Sequence, residues 1–304
     1  MADLLCLGEP LVEFNVQPDG SYRRGFGGDV SNVAISAARQ GAAVGMISRV
    51  GADPFGEDIV NLWQNEGVDT EFAAKIPDQD TGLYFVHHDR EGHHFIYRRQ
   101  GSACSLMTGA DIPAAAIADT KMFYASGITI AVSSTLRAAT AEAVAIARKA
   151  STTVAFDPNL RERLWPLDQA RAVTHEIMRD CAIALPGLDD ARRLTGLHSP
   201  EDIINFYHDL GAAVVALTLG GDGVAVSSGD GISTIPPLDV SVIDATGAGD
   251  CFNGIFLSDI LRGRRPEDAA ETANIGAALS TTGFGAVAPI PFPIDIKKTK
   301  ETSA

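Results

Sequence analysis

The chain has 304 residues, 45% of them hydrophobic and 21% charged, so it is long and apolar enough to bury a large core. A formal net charge of −15 argues against nucleic acid and anionic membranes as partners, because both would repel the chain as a whole. No apolar run approaches the ~20 residues of a membrane span and no secretory signal pattern is present, so we expect a cytoplasmic protein.

Short apolar runs rich in β-branched residues alternate with stretches of helical periodicity. We predict buried strands at 4–9, 44–50, 121–128, 152–159, 181–186 and 213–219, and helices that include 30–42 and 135–151. Strands that alternate with helices typically form parallel sheets, because each crossover helix returns the chain to the same edge of the sheet. The pattern predicts one α/β domain over 1–304, a doubly wound, mostly parallel sheet with helices on both faces.

Two segments, 12–28 and 82–102, interrupt this alternation, and each contains two extended runs around a turn. The turns lie at 18–20 and 89–92, where Asp and Gly favour chain reversal. We predict that these segments form a small antiparallel sheet beside the core, here called the lid. An exposed sheet can pair with a second copy of itself, so we expect a homodimer through the lid.

Four histidines flank the second of these turns: His87, His88, His93 and His94. They would pair across a hairpin, and such pairs can bind a divalent metal. We expect solvated strand residues instead, because the tip of the hairpin should point away from the ligand-binding end of the main sheet.

Near the C-terminal end, residues 240–256 read "VSVIDATGAGDCFNGIF". The pattern predicts an apolar strand at 240–243, a glycine-rich turn, and a helix that begins at about Cys251. Residues 247–249, Gly-Ala-Gly, carry little or no side chain, so a phosphate can approach their backbone N–H groups closely. The helix N-terminus adds the positive end of its dipole, which makes phosphate chemistry the natural use of this turn.

The residue after this turn, Asp250, is a poor phosphate ligand because it is itself an anion. A carboxylate beside an anion-binding turn is typical of a general base that takes a proton from an attacking hydroxyl. The alternative is that Asp250 only caps the helix. A P-loop is excluded because no lysine follows Gly249, and a dinucleotide fingerprint is excluded because Phe252 stands where a small residue is needed.

Three stretches together resemble the ribokinase and phosphofructokinase-B type of carbohydrate kinase: 25–41, 48–57 and 244–254. They stand in the family's order and at its separations, and the resemblance spans nearly the whole chain. Within the family, the stretches 97–103, 126–131 and 156–165 are similar to 2-keto-3-deoxygluconate kinases. Two alternatives stay open, a kinase of a neutral ketohexose such as fructose or tagatose and a non-catalytic protein that binds sugar or nucleotide.

The resemblance implies ATP and Mg²⁺ as cofactors and assigns the chemistry to the glycine-rich turn. It makes Asp250 the catalytic base and Gly247, Ala248 and Gly249 the donors to the transferring phosphoryl group. Around the sugar it places Gly27 and Gly28, with Asn32 close behind, where a plain strand-to-helix turn is the alternative. On the nucleotide side the resemblance implies a loop that contains Thr218, Gly220, Gly221 and Gly223, for which a plain hairpin is the alternative. It also implies that Asn274 lies near the adenine.

The chain departs from the family at the Asn-x-x-Glu element that helps to organise magnesium and phosphates. Here the element reads Gly187-Leu188-Asp189-Asp190. Asp190 can still supply a carboxylate, but Gly187 cannot supply an amide. The metal ligands are therefore unknown, with Asp190 as a candidate that acts through water.

A sugar acid needs cationic groups around its carboxylate in so acidic a chain, and guanidinium groups suit that task. Arg161 follows a buried run at the carboxyl end of a strand, where it should face the ligand crevice. Of Arg98 and Arg99, only one is expected to face the ligand, because neighbouring strand residues point to opposite sides. Tyr84 and Tyr97 are expected to bond sugar hydroxyls from the lid. We therefore predict phosphorylation of the terminal hydroxyl of 2-keto-3-deoxygluconate.

Overall fold

A computed structural model describes residues 2–89, 92–229 and 231–303 of the chain. The strands are Leu4–Leu7 (β1), Leu11–Val16 (β2), Tyr22–Gly27 (β3), Val44–Gly51 (β4), Val68–Asp69 (β5), Ala73–Ile76 (β6), Leu83–Asp89 (β7), Gly92–Arg98 (β8), Met122–Ser126 (β9), Thr153–Asp157 (β10), Ile183–Ala184 (β11), Val214–Thr218 (β12), Val224–Ser227 (β13) and Ile232–Ile235 (β14).

The α-helices in these ranges are Asp29–Arg39 (α1), Pro54–Asn65 (α2), Ala114–Asp119 (α3), Gly127–Val132 (α4), Ser134–Ala150 (α5), Leu167–Met178 (α6), Leu188–Thr195 (α7), Pro200–Leu210 (α8), Ala248–Leu261 (α9), Pro266–Ser280 (α10) and Pro293–Ser303 (α11). Short 3₁₀ turns lie at Cys104–Leu106, Gly109–Asp111 and Gly220–Asp222. Among the described residues, no helix has the length and apolar character that a membrane span requires.

The main sheet has the strand order β14-β13-β12-β11-β10-β9-β1-β4-β5, and β6 pairs with β4. The strands from β12 to β5, and β6, run parallel, and β13 and β14 add an antiparallel end. Each of the six predicted strands is present, as β1, β4, β9, β10, β11 and β12. The predicted doubly wound fold is therefore confirmed.

Alternate residues of β1 show why helices cover both faces of this sheet. Leu4 and Cys6 pack with apolar residues of α1, α2, α9 and α10, whereas Leu5 and Leu7 pack with those of α5, α6 and α8. All four side chains are buried. A strand that is buried on both sides reads as a continuous apolar run, which is why the sequence pattern identified it.

The lid is a separate four-stranded sheet in the order β3-β2-β7-β8. Strands β2 and β3 form one antiparallel hairpin, and β7 and β8 form the other. The two hairpins join through a parallel pairing of β2 with β7, which the sequence did not indicate. The small antiparallel sheet predicted over 12–28 and 82–102 is confirmed, whereas the predicted turn includes residues 90 and 91, which lie outside the described residues.

The histidines pair across the second hairpin as predicted, with His87 opposite His94 and His88 opposite His93. The hydroxyl of Tyr22 lies 3.1 Å from Nε2 of His87. Within the described residues, no group of three or more His, Cys, Asp or Glu could hold a metal ion. The role of these histidines as solvated strand residues stays a prediction.

The strand predicted at 240–243 is wrong, because these residues form no strand in the structure. Val242 and Ile243 are more than half exposed, and the N–H groups of Ile243 and Asp244 donate to the carbonyl of Thr281 at the end of α10. The backbone of the run is thus partly satisfied by a helix end rather than by a neighbouring strand. The helix that follows begins at Ala248, almost one turn before the predicted start at Cys251.

Candidate functional site

A cleft of about 250 Å³ opens at the carboxyl ends of the central parallel strands, where β10 ends at Asp157 and β12 ends at Thr218. Ligands of doubly wound sheets bind at this edge. The predicted site residues that line the cleft are Arg161, Asp190, Thr218, Gly247, Ala248, Gly249 and Asp250. The fold therefore brings the glycine-rich turn, a candidate base and an arginine to one place.

The turn before α9 is shaped to receive an anion. Gly247 is the N-cap residue with a φ of 77°, in the left-handed region, and a Cβ there would lie 2.9 Å from Cβ of Ala286. Around Gly249, a Cβ would meet nothing within 4 Å, so the backbone is open to the cleft. The N–H groups of a first helical turn lack partners inside the helix, and an anion can satisfy them.

The carboxylate of Asp250 is buried in the first turn of α9. Its Oδ2 accepts a hydrogen bond of 2.8 Å from Nδ2 of Asn32 on α1. Burial raises the pKa of Asp250 well above its ordinary value, and the neighbouring Asp29 raises it further. Asp250 is thus bonded to another helix, and the capping position itself belongs to Gly247, so the alternative of a simple helix cap is not supported.

Further buried polar groups form the floor of the cleft. Asn253, one turn after Asp250, donates to Oδ2 of Asp157 at 2.7 Å. Asn159 donates to Oδ2 of Asp29 at 2.9 Å. Burial, with a contribution from Asp190, raises the pKa of Asp157 to about 7.

Sequence reasoning missed four of these floor residues: Asp29, Asp157, Asn159 and Asn253. Their signal was present in part. Asp157 and Asn159 end the buried run "TVAFDPN", and polar residues at the carboxyl end of a central strand face the ligand crevice. Asn253 carried no such signal, because its partner Asp157 lies 96 residues away in the chain.

Arg161 and Asp190 line the cleft opposite the glycine-rich turn. Nη1 of Arg161 lies 3.9 Å from Oδ2 of Asp190, and the Arg161 side chain is 49% exposed. Asp190 also accepts the N–H of Leu160, and burial raises its pKa, although Arg161 opposes this. Nη1 of Arg161 also donates to the carbonyl of Leu160 at 2.8 Å, so Arg161 is a half-exposed cation at the cleft whose contact with a ligand stays a prediction.

The two lid tyrosines lie opposite each other on β7 and β8, with ring centroids 5.7 Å apart. The hydroxyl of Tyr84 donates to the carboxylate of Glu13, whereas Tyr97 is 39% exposed. Both rings lie on one face of the lid, as expected for residues at opposed positions. Their bonds to sugar hydroxyls stay predictions.

The lid arginines differ as the alternation of strand residues requires. Arg98 lies opposite Leu83, on the face away from the tyrosines, and is exposed. Arg99 forms a buried ion pair with Glu9, which also accepts from Ser102. The positive charge of Arg99 is thus already balanced, and a ligand contact of either arginine stays a prediction.

The glycine pair before α1 is required by close packing. Gly28, the N-cap residue of α1, has a φ of 104°, and a Cβ there would lie 2.4 Å from the carbonyl oxygen of Glu9. A Cβ at Gly27 would lie 2.6 Å from the hydroxyl of Tyr84. Packing explains both glycines, so their contact with a sugar stays a prediction.

The predicted nucleotide loop is the turn between β12 and β13. Gly220 and Gly221 belong to its 3₁₀ turn, and a Cβ at Gly223 would lie 2.1 Å from the carbonyl oxygen of Ile235. Asn274 on α10 donates to the carbonyl of Pro236 at 2.8 Å. Of the predicted nucleotide residues only Thr218 lines the cleft, and the contacts of the others with ATP stay predictions.

The buried carboxylate of Asp250 leads to a prediction about stability. The pKa of Asp250 is higher in the folded protein than in the unfolded chain. The contribution of this carboxyl group to the free energy of unfolding is therefore complete below about pH 4, and it is lost as pH rises through the folded pKa. Asp250→Asn avoids this loss of stability because an amide does not ionise. The amide oxygen can still accept the hydrogen bond from Asn32. We expect the variant to exceed the wild type in free energy of unfolding at about pH 8, and the difference to shrink towards about pH 5. Urea unfolding at both pH values measures this, and an equal difference at both would contradict it.

Three comparisons with known proteins agree with this geometry. The 2-dehydro-3-deoxygluconokinase of Thermoproteus tenax is 33% identical over 306 residues, which cover 96% of this chain and 92% of that protein. Fructokinase-1 of Oryza sativa subsp. japonica is 28% identical over 318 residues, with 99% and 98% covered. The crystal structure of aminoimidazole riboside kinase from Salmonella enterica, complexed with aminoimidazole riboside and an ATP analogue, matches with a TM-score of 0.86 at 26% identity and covers 97% of this chain and 98% of that one.

A match to a family model identifies the family. The model described as pfkB family carbohydrate kinase matches residues 1–293, nearly the whole chain. Both sheets and the cleft at the strand ends lie within that match. The chain belongs to the pfkB family of carbohydrate kinases.

Proposed function

We propose that this protein transfers the γ-phosphate of ATP to the terminal hydroxyl of 2-keto-3-deoxygluconate, also called 2-dehydro-3-deoxygluconate. The observation that carries the proposal is the buried carboxylate of Asp250 beside the open backbone of Gly247–Gly249, in one cleft with Arg161. The similarity to the Thermoproteus tenax enzyme supports the substrate, and that to the kinase crystallised with an ATP analogue supports the nucleotide.

In the proposed reaction Asp250 is the base. As the sugar oxygen bonds to the γ-phosphorus, a carboxylate oxygen of Asp250 accepts the hydroxyl proton. The bond from the γ-phosphorus to the bridging oxygen breaks, and ADP leaves with its electron pair. A raised pKa makes Asp250 a stronger base than a solvated aspartate, which suits the transfer.

The backbone at the start of α9 holds the transferring group. The N–H groups of the Gly247–Gly249 turn would donate to its equatorial oxygens, where charge accumulates in the transition state. The lid, with Tyr84 and Tyr97 on one face, would close over the sugar and exclude water. Exclusion matters because water could otherwise take the phosphoryl group.

Magnesium fits the cleft only together with oxygens of the nucleotide. The described residues supply no group of three or more metal-ligating acidic, His or Cys side chains. Asp190 presents a largely buried carboxylate to the cleft, and it would hold Mg²⁺ through water. When bound, the ion would neutralise negative charge on the phosphates of the nucleotide. Gly187 contributes no side chain to this arrangement.

Arg161 favours a sugar acid over a neutral sugar. It is a cation in the cleft whose one acidic neighbour within 4.0 Å, among the described residues, is Asp190 at 3.9 Å. The main alternative is a kinase of fructose or tagatose, which the similarity to the rice fructokinase favours. The remaining alternative, a non-catalytic binding protein, is less well supported because the Gly247–Asp250 turn is intact.

Asp250→Asn should lower kcat by at least ~10²-fold, because a positioned base is lost while its shape is kept. Binding of ATP should persist, which calorimetry measures beside a coupled assay of ADP release. Asp209→Asn, the same substitution at an exposed position of α8, is the control and should retain full turnover. Turnover of Asp250→Asn within a few-fold of wild type would leave Asp250 without a catalytic role.

Arg161→Ala should lose about 2–4 kcal/mol in kcat/KM for the acid, the range for truncation of one partner of a desolvated charge pair. A neutral ketohexose should show no comparable loss. The test compares kcat/KM for the acid, fructose and tagatose, with Arg163→Ala as a control at an exposed neighbour. A wild-type preference for a ketohexose, or equal losses on all substrates, would eliminate the sugar-acid proposal and leave the kinase assignment intact.

We also propose that two copies of the chain associate through the lid. On the face opposite Tyr84, Tyr22 and Ile96 are 45% and 40% exposed and lie beside Phe85, which gives an apolar strip on an open sheet. Light scattering should give the mass of a dimer, and a monomeric mass would contradict the proposal. The cytoplasmic location and the absence of nucleic-acid binding stay predictions.

A further inference from the structure

Three chain segments meet below the cleft, and each contributes one aspartate and one asparagine. The segments are the start of α1, the end of β10 with the turn that follows it, and the start of α9. Each asparagine donates to an aspartate of another segment, so the bonds close a cycle. We call this cycle the Asp–Asn ring; its members are Asp29, Asn32, Asp157, Asn159, Asp250 and Asn253.

The hydrogen bonds of the Asp–Asn ring are short, and all of its members are buried. Its three side-chain bonds measure 2.7–2.9 Å, and no member is more than 9% exposed. On both helices the aspartate precedes the asparagine by three residues, so the two side chains share one helix face. In the turn after β10, Asp157 accepts the N–H of Asn159, whose φ of 30° lies in the sparsely populated left-handed region.

Burial of three carboxylates at one point is costly for folding. Two of them, Asp157 and Asp250, have raised pKa values, first through burial and then through neighbouring carboxylates. Neutral side chains of similar volume would stabilise the same packing better. A structural role alone therefore does not account for charge at Asp157, which has neither a lysine nor an arginine as a hydrogen-bond partner among the described residues.

We propose that Asp157 is a positioning residue for Asp250 and acts through Asn253. The bond from Asn253 fixes the start of α9 to the end of β10, and Asp250 lies one turn before Asn253. The bond from Asn32 then sets the direction of the Asp250 carboxylate towards the cleft. This proposal deepens the proposed function, since it rests on Asp250 as the base.

The test exchanges the two members of the Asp157 and Asn253 pair. Asn253→Asp alone removes the amide donor and places two carboxyl groups at the distance of a hydrogen bond, so their repulsion when both are ionised displaces the start of α9. We expect kcat to fall ~10–100-fold at about pH 8, with KM for ATP within a few-fold, because the base is misplaced rather than lost. The double variant Asp157→Asn/Asn253→Asp restores a donor and an acceptor, and it should recover at least ~10-fold in kcat.

A second readout does not depend on activity. A crystal structure of Asn253→Asp should show the Asp250 carboxylate separated from Asn32, and the double variant should show the bond restored. If the double variant is no better than Asn253→Asp, or if Asp157→Asn alone leaves kcat unchanged, the positioning role is wrong. Absence of wild-type turnover on every sugar and sugar acid would instead refute the proposed function, while the crystal structures would still decide the positioning claim.

Discussion

The burial of Asp250 at the edge of the cleft is the constraint on which the site depends. A solvated aspartate is a weak base, whereas one buried at a helix start and close to other carboxylates holds its proton more tightly. The same burial leaves the backbone N–H groups of the first turn of α9 to stabilise an anion in a medium of low dielectric constant. In the proposed function, the base and the anion site would both follow from where α9 begins.

The sheet provides the rigid frame for this arrangement. Parallel strands end at a common edge, so the turn after β10 and the loop after β12 reach one cleft although they lie far apart in the chain. Helices α1 and α9 pack together on one face of the sheet, which brings Asn32 to Asp250 across 218 residues of sequence. The lid is a sheet of its own and shares no strand with this frame.

Much of the fold and part of the site could be predicted from the sequence, and the difference has a physical cause. The six core strands were predictable because burial on both faces makes each a continuous apolar run. The Gly247–Asp250 turn was predictable because its residues are consecutive. The run at 240–243 is apolar too, yet it forms no strand, since four residues carry no periodicity that separates a strand from an exposed loop.

Polar contacts between residues that are distant in the sequence could not be predicted. The ion pair of Glu9 with Arg99 joins residues 90 apart in the chain, and it balances the positive charge of Arg99. The partner of Asn253 was likewise hidden by sequence distance. Which polar groups meet is decided by strand order and helix packing, and a single sequence carries no local signal of either.

The proposed function requires that burial raise the pKa of the Asp250 carboxyl. An NMR titration of carbon-13-labelled aspartate side chains, with Asp250→Asn to assign the resonance, measures this pKa directly. We expect a pKa for Asp250 clearly above the ordinary value of about 4 for aspartate. A pKa at or below that value would contradict the proposed role of burial, because the carboxylate would then be solvated or stabilised as an anion.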